Sequence, residues 1–203
     1  FKIVPAPVTI TANNQTVTYT GDPQEYTDAS VDNENAELDI TYYTSIDDRT
    51  YGNALEEVPT DAKIYYIKVT QTNPNYEAEP QNAVCTISPK SIGANNIVLS
   101  GDNFSVEDNS FVYNGRNQKP TITVTDPDRG DNGTVLDKDI DYTVTIKNTD
   151  NTIMNDGGVN VGEYTVTITG MGNYNEKVNR TFSISAKEIA TDNITVTLAP
   201  TSY

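Results

Sequence analysis

Histidine and tryptophan are absent from this 203-residue sequence, and Cys85 is its single cysteine. Without imidazole, the chain has neither a histidine-based metal site nor a Ser-His-Asp triad. One cysteine forms no intrachain disulfide and no multi-cysteine zinc site. No apolar run approaches the roughly 20 residues that a membrane-spanning helix needs, so insertion into a membrane is not expected.

Positive charge is also scarce, since 13 Lys and Arg face 29 Asp and Glu and give a net charge of −16. Proteins that bind nucleic acids need a basic face that displaces counterions from phosphates, so a nucleic-acid partner is not expected. Neighbouring acids such as Asp47-Asp48 and Glu56-Glu57 are interpreted as solubilising, because glycosidase carboxylates work in a deep cleft. The sequence therefore predicts a protein that is not an enzyme and holds no cofactor.

The residues that are plentiful favour β-structure. Thr and the 13 Tyr fit strands, whereas Asn, with 12 Gly and 10 Pro, fits turns. Short segments alternate between apolar and polar residues, as at Tyr142–Ile146 and Tyr164–Ile168, and turn residues such as Asp156-Gly157-Gly158 separate them. This pattern predicts an all-β fold of small two-sheet sandwiches.

The sequence repeats itself after about 97 residues, a typical domain size. The matching segments are Tyr19-Thr20-Gly21 with Tyr113-Asn114-Gly115, Asn75-Tyr76 with Asn173-Tyr174, Cys85–Lys90 with Phe182–Lys187, and Lys90–Ile97 with Lys187–Ile194. We therefore predict one sandwich at residues 1–88 and a second at 89–187. Residues 188–203 are predicted to be an extra strand or the start of a truncated third repeat.

The negative charge is unevenly divided between these predicted repeats. Residues 1–88 carry 4 basic and 14 acidic side chains, a net −10, whereas residues 89–187 carry 9 and 13, a net −4. Any specific binding is therefore most worth testing on the first repeat, which is also the more divergent copy.

The second repeat resembles a known family. The segments that carry the resemblance are Tyr113-Asn114-Gly115, Pro120, Asp141–Thr145, Gly162–Ile168, Gly172-Asn173-Tyr174 and Thr181–Ile184. They are similar to the tandem immunoglobulin-like repeats of the MBG/YDG type in bacterial surface proteins and adhesins. The resemblance covers essentially the whole chain and is strongest over residues 111–187. The first repeat departs from the pattern at Val58–Lys63 and at Asn73–Tyr76.

This resemblance implies immunoglobulin-like sandwiches in an extracellular protein attached to the bacterial cell surface or cell wall. It also implies a non-catalytic role as a stalk or spacer, with neighbouring repeats of the same chain as partners and a monomeric state. Little slack at Pro89 and Lys187 favours the stalk. The alternative is a module that binds a host glycoprotein or a polysaccharide through loops of the first domain.

An acidic turn offers candidate calcium ligands at Asp126, Asp128 and Asp131. Its spacing departs from the EF-hand loop, because Gly130 stands where a third ligand belongs. A solvated turn is therefore the favoured interpretation. The same turn contains the tripeptide Arg129-Gly130-Asp131, which some integrin ligands present.

Three tyrosines, Tyr43, Tyr51 and Tyr66, are candidate exposed rings for carbohydrate binding. The favoured interpretation is that they cover sheet faces or interdomain surface.

Two lysines, Lys90 and Lys187, recur at equivalent strand ends. Surface proteins of this kind sometimes carry a Lys–Asn isopeptide bond, although a solvated interdomain lysine is the favoured interpretation. Cys85 aligns with Phe182 at a core-facing position and is expected to be a buried hydrophobic residue.

Overall fold

The computed structural model describes residues 2–47 and 50–189. The predicted extra strand or third repeat at 188–203 therefore lies outside the described residues, apart from residues 188 and 189. Within them the chain is all-β, as the sequence predicts, and a short 3₁₀ helix at Ala94–Asn96 is the one helical element. Nowhere in the same ranges is a helix long and apolar enough to span a membrane.

Nineteen strands form the sheets of the described ranges. Those before residue 89 are β1 (Ala6–Pro7), β2 (Ile10–Ala12), β3 (Gln15–Thr18), β4 (Ala29–Val31), β5 (Leu38–Asp47), β6 (Thr50–Ala54), β7 (Ile64–Gln71), β8 (Tyr76–Glu77) and β9 (Gln81–Ser88). Those after it are β10 (Lys90–Ser91), β11 (Ile97–Ser100), β12 (Phe104–Ser105), β13 (Ser110–Val112), β14 (Thr121–Asp126), β15 (Thr134–Val135), β16 (Tyr142–Asn148), β17 (Gly162–Gly170), β18 (Tyr174–Asn175) and β19 (Lys177–Ser185).

Two five-stranded sheets have similar orders, β3-β9-β7-β5-β6 and β12-β13-β19-β17-β16. In the first, β3 runs parallel to β9 while β7 is antiparallel to both β5 and β9. In the second, β13 runs parallel to β19. The smaller sheets are β2-β4, β11-β14-β15 and the parallel pairs β1-β8 and β10-β18.

The chain divides into two compact units. The first contains the residues up to Gly93, together with Thr125–Thr143 and Thr169–Lys177. The second contains Ala94–Val124, Val144–Ile168 and, of the described residues, those from 178 to 189.

The core of the first unit is built from alternating strand residues and buried tyrosines. Tyr26 is 2% exposed, and its hydroxyl donates to the carbonyl oxygens of Asn13 and Asp28 at 2.7 and 2.8 Å. Cys85 is fully buried, which confirms its predicted place in the core. The other buried apolar residues of the five-stranded sheet include Tyr42, Tyr65, Ile67, Val69, Ala83 and Ile87.

Aromatic rings also organise the core of the second unit. The Phe111 ring lies 4.9 Å from that of Phe104 and 6.0 Å from that of Phe182, and Tyr164 stacks on Phe182 at 5.0 Å. Ring contacts of this kind add to the stabilisation from burial alone. Further buried members are Ile97, Leu99, Val124, Ile146, Val166, Ile168 and Ile184.

Structurally equivalent positions of the two repeats make the same hydrogen bonds. The amides of Ala6 and Lys90 both donate at 2.9 Å, to the carbonyls of Asn75 and Asn173 respectively. The other matched bonds are Tyr19 N to Ser88 O with Tyr113 N to Ser185 O, and Tyr65 OH to Asp61 O with Tyr164 OH to Asn160 O. The sequence repeat aligns Tyr19 with Tyr113 and Ser88 with Ser185, whereas the equivalence of Ala6 with Lys90 comes from the structure, since the sequence aligned Lys90 with Lys187.

Candidate functional site

Lys90 and Asp126 form a buried ion pair in the first unit. Nζ of Lys90 lies 2.5 Å from Oδ1 of Asp126, and the side chains are 19% and 1% exposed. The remaining ion pairs of the described ranges all involve an exposed carboxylate. Exposed pairs contribute little to stability, whereas a buried charge requires its partner. The Asp126 carboxylate therefore holds the lysine in place.

Two further donors complete the surroundings of the Asp126 carboxylate. The hydroxyl of Tyr174 donates to Oδ2 at 3.0 Å, and the amide of Asp128 donates to Oδ1 at 3.1 Å. At the outer edge of the pair, Nζ of Lys90 lies 3.0 Å from Oδ2 of Asp128. Protein groups thus replace the water that the buried carboxylate has lost.

Local sequence explains why these groups meet. Lys90 of β10 is the register partner of Tyr174 of β18 in a parallel ladder, so their side chains project from the same side. Asp126 is the last residue of β14, and its carboxylate accepts the amide two residues later, as Asp does in turns. Its alternation with Val124 directs the Asp126 side chain inward.

The pKa values of both partners reflect their contacts. Burial alone would raise the pKa of Asp126, but the bonds from Lys90, the Asp128 amide and Tyr174, with the lysine charge, lower it overall. Burial alone would lower the pKa of Lys90, but its bonds to Asp126 and Asp128 raise it. Burial and the neighbouring Asp126 raise the pKa of Tyr174. Both Lys90 and Asp126 are thus charged at neutral pH. The isopeptide bond considered for Lys90 would instead form from a neutral lysine amine.

Tyr19 and Arg129 both lie next to Tyr174. The rings of Tyr19 and Tyr174 meet edge to face at 5.6 Å, and both are 3% exposed. Arg129 interacts with the Tyr174 hydroxyl, and its side chain passes directly over Gly21. A Cβ at Gly21 would lie 2.9 Å from Nε of Arg129, and the backbone φ there is +93°, so this position favours glycine. We call Tyr19, Lys90, Asp126, Arg129 and Tyr174 the Lys90 cluster.

A polar clamp accompanies the Lys90 cluster in the same unit. Oδ1 of Asn173 accepts the amide of Ala62 at 2.7 Å, and Nδ2 of Asn173 donates to Oδ1 of Asp61 at 3.1 Å. The sequence separation is 111 and 112 residues. The Gly-Asn-Tyr segment therefore contributes both its Asn and its Tyr to contacts with distant parts of the chain.

The three candidate calcium ligands occupy different environments. Asp126 is 2% exposed, so the favoured interpretation of a solvated turn is wrong for this residue. Asp128 and Asp131 are exposed. In the part of the chain that the structure describes, no three His, Cys, Asp or Glu side chains group as metal ligands. Calcium binding at this turn stays a prediction, and the ammonium of Lys90 already occupies one face of the Asp126 carboxylate.

The three candidate tyrosines lie together on one face of the first unit's sheet. Tyr51 lies 5.1 Å from Tyr43 and 4.8 Å from Tyr66, measured between ring centroids. Tyr51 is 36% exposed, whereas Tyr66 is 8% exposed, so Tyr66 is not one of the exposed rings that carbohydrate binding would use. Burial and the two neighbouring hydroxyls raise the pKa of Tyr51. We call these three residues the tyrosine patch.

Two cavities lie elsewhere on the described surface. One of about 420 Å³ is lined by Val98, Asn109, Arg180 and their neighbours, and the Arg180 guanidinium donates to the Ala94 carbonyl. The other, of about 460 Å³, is lined by Thr44, Ser45, Lys63, Ile64 and Tyr65. Among the residues that the structure describes, neither lining includes a carboxylate to act as an acid or a base.

The remaining sequence candidates are dispersed. Glu56 and Glu57 are exposed, whereas the pair at Asp47-Asp48 lies outside the described side chains. Burial raises the pKa of the Cys85 thiol, which makes that sulfur unreactive. Arg129 is half-buried in the Lys90 cluster and is not displayed as part of a free tripeptide.

Sequence reasoning selected Lys90 and Asp126 separately and did not pair them. One signal was available, because Ile122, Val124 and Asp126 alternate in phase and place the carboxylate on the buried face. A buried carboxylate requires a cation, and Lys90 is one of only 13 basic residues. Which of them it would be depends on strand packing that the sequence does not display.

Comparison with known proteins adds no relative. No model of a known protein family matches this chain, and none of the curated proteins matches it significantly.

Proposed function

We propose that this chain is a non-catalytic spacer segment of a bacterial surface protein and that it acts as part of a stalk. The Lys90 cluster carries the proposal, since it joins residues of both predicted repeats within one compact unit. Lys90 itself lies at the predicted boundary between residues 1–88 and 89–187. A spacer holds its two ends far apart only where the boundary between its repeats is stiff.

Three kinds of contact restrain this boundary. The parallel pair β10-β18 holds its backbone, the ion pair holds its lysine, and the clamp from Asn173 holds the turn at Asp61 and Ala62. A free linker of the same length would leave its backbone dihedral angles unrestrained. The acidic charge of the chain disfavours self-association and supports the expected monomer.

Small-angle X-ray scattering tests the spacer role. A compact 203-residue chain has a radius of gyration of about 17 Å. We expect a value above about 20 Å, unchanged between 1 and 10 mg/ml and consistent with one rigid particle. A value near 17 Å, or a scattering profile that requires an ensemble of flexibly linked bodies, would contradict the proposal.

A matched pair of variants ties the result to the Lys90 cluster. Lys90→Met removes the buried cation, whereas Lys177→Met removes an exposed one. We expect the scattering of the first variant to require a flexible ensemble and that of the second to match the parent protein. Equal profiles for the two variants would show that the ion pair has no part in stiffness.

The tyrosine patch supports a second candidate function, the binding of a polysaccharide or a host glycoprotein by the first unit. Adjacent rings, one of them 36% exposed, provide the apolar surface on which sugar rings stack. We expect hits on a glycan array that Tyr51→Ala abolishes and Tyr113→Ala, at a ring 39% exposed in the second unit, leaves unchanged. An array without hits at micromolar sensitivity would exclude this function.

A further inference from the structure

The second unit carries the same surface that, in the first unit, is contacted by Asp126, Arg129, Asn173 and Tyr174. The first unit's version consists of Tyr19, Gly21, Ala62 and Lys90. The aligned residues in the second unit are Tyr113, Gly115, Val161 and Lys187. We call these four residues the second-unit end surface.

The alignment rests on contacts rather than on sequence alone. Tyr19 and Tyr113 each donate a backbone bond at 2.9 Å, to Ser88 and Ser185 respectively. The lysines lie two residues after these serines. The turns match because the hydroxyls of Tyr65 and Tyr164 bond to the carbonyls of Asp61 and Asn160, and Ala62 and Val161 are the next residues.

The two versions of the surface differ in cover. Tyr19 is 3% exposed beneath Tyr174, whereas Tyr113 is 39% exposed. Lys187 is exposed and pairs with no carboxylate of the described residues. Gly115 has a φ of +77° like Gly21, yet a Cβ there would meet only the Tyr113 hydroxyl, at 3.9 Å. Each feature that serves a contact in the first unit is thus present and open in the second.

We infer that the second-unit end surface is the docking site for a further repeat of the same type. That repeat would carry an Asp for Lys187, a Tyr to cover the ring of Tyr113, and an Asn for the amide of Val161. An Arg would pass over Gly115, as Arg129 does over Gly21. The inference deepens the proposed spacer role, on which it rests, because it states how the series continues.

The occupant is a further repeat that resembles residues 89–187. It is not another copy of this chain that meets the surface with its first repeat. The first repeat lacks the complementary groups, since Ala6, Asn33 and Ala36 stand in the positions of Lys90, Asp126 and Arg129. Matching hydrogen bonds show this alignment. The Asn35 amide donates to Oδ1 of Asn33 at 3.0 Å, as the Asp128 amide does to Oδ1 of Asp126, and the Ala36 amide donates to the Asn33 carbonyl at 3.1 Å. Without an aspartate there, the first repeat has no partner for Lys187.

A fusion chain tests the inference. In this fusion, residues 1–187 are followed directly by a second copy of residues 91–187. The appended copy therefore follows Lys187 in the same way as residue 91 follows Lys90 in the parent chain. A single 3-fluorotyrosine at residue 113 reports exposure through fluorine relaxation caused by a soluble gadolinium chelate. The same label at residue 19 is the buried reference. Because the two rings are 39% and 3% exposed, we expect about tenfold less relaxation at residue 113 in the fusion than in the 203-residue chain.

Several outcomes would overturn the inference. One is equal relaxation at residue 113 in both chains, and another is a ring already shielded in the 203-residue chain. An appended repeat that does not fold would also count against it, because the same sequence folds after Lys90. A label at Tyr164 of the appended copy, a core position, reports that folding. Shielding that depends on protein concentration would assign the surface to a second molecule.

Lys187→Met provides a second readout. We expect it to lower the melting temperature of the fusion by several degrees and to leave that of the 203-residue chain unchanged, with Lys177→Met of the original repeat as the control. Equal effects in the two chains would refute the ion pair. Stiffness of the 203-residue chain by scattering would survive such a failure, so the two proposals can fail separately.

Discussion

Replacing Lys90 by methionine is the most direct test of the buried ion pair. The substitution keeps most of the length of the side chain and removes its charge, leaving the Asp126 carboxylate, 1% exposed, with the Tyr174 hydroxyl and the Asp128 amide as donors. Breaking a buried pair in this way costs about 3–5 kcal/mol. That is a large share of the roughly 5–15 kcal/mol by which proteins are stable.

Urea unfolding monitored by tyrosine emission measures this loss, because the chain has 13 Tyr and no Trp to mask them. Lys177→Met, at an exposed position, should change the free energy of unfolding by less than about 0.5 kcal/mol. The double variant Lys90→Met/Asp126→Leu should recover most of the stability, since an apolar pair of similar volume replaces the charges. Equal losses for the single and double variants would refute the argument.

The dependence on pH distinguishes a lost ion pair from lost packing. In the parent protein the pKa of Asp126 is lowered, so its contribution is full above the unfolded value near 4 and disappears as the pH falls through the folded value. The raised pKa of Lys90 keeps its contribution full up to pH 10.5. In Lys90→Met the uncompensated burial of Asp126 raises its pKa instead, so acidification from pH 7 to 5 should reduce the difference from the parent protein. A constant difference would indicate packing alone.

Three further predictions concern single residues. Gly21→Ala should destabilise the protein by about 1 kcal/mol more than Gly115→Ala in urea unfolding, because both have positive φ but only the first meets Arg129 at 2.9 Å; equal losses would contradict this. The Cys85 thiol, fully buried, should react with a thiol reagent only in urea, and Cys85→Ser should cost about 1–3 kcal/mol by burying a hydroxyl; rapid labelling of the folded protein would show the sulfur to be accessible. Burial and a nearby aspartate raise the pKa of Tyr65 to about 12, so its contribution to folding stability is full below pH 10 and is lost as the pH rises toward 12. Tyr65→Phe should remove this tyrosine from the alkaline absorbance titration and should leave the titration curve below pH 10 unchanged.

Local periodicity made much of the fold predictable. The alternation around Tyr142–Ile146 and Tyr164–Ile168 reads out as strands, because successive side chains in a strand point to opposite faces. The repeat alignment also placed Cys85 and Phe182 at equivalent buried positions. These features depend on residues close together in sequence or on direct comparison of two copies.

Contacts between distant strands were not predictable in the same way. Alternation placed Tyr66 opposite the core, where a ring is normally exposed, but Tyr43 and Tyr51 lie on neighbouring strands and cover it. Lys90 and Asp126 are separated by 36 residues and meet because of strand pairing. Chain order alone does not state which strands become neighbours. Lys90 and Asp126 could therefore each be selected from the sequence, but their contact could not be predicted.

The parallel pairing in the two five-stranded sheets has a mechanical consequence. Gln15–Thr18 lies beside Cys85–Ser88, and Ser110–Val112 lies beside Ser183–Ser185, each pair running in the same direction. Tension on the chain from both sides would pull the two members of each pair in opposite directions along their length. Their hydrogen bonds would then bear the load together in shear, whereas a hairpin pulled at its open end separates one bond at a time. In a stalk, these two short ladders would set the force at which each repeat gives way.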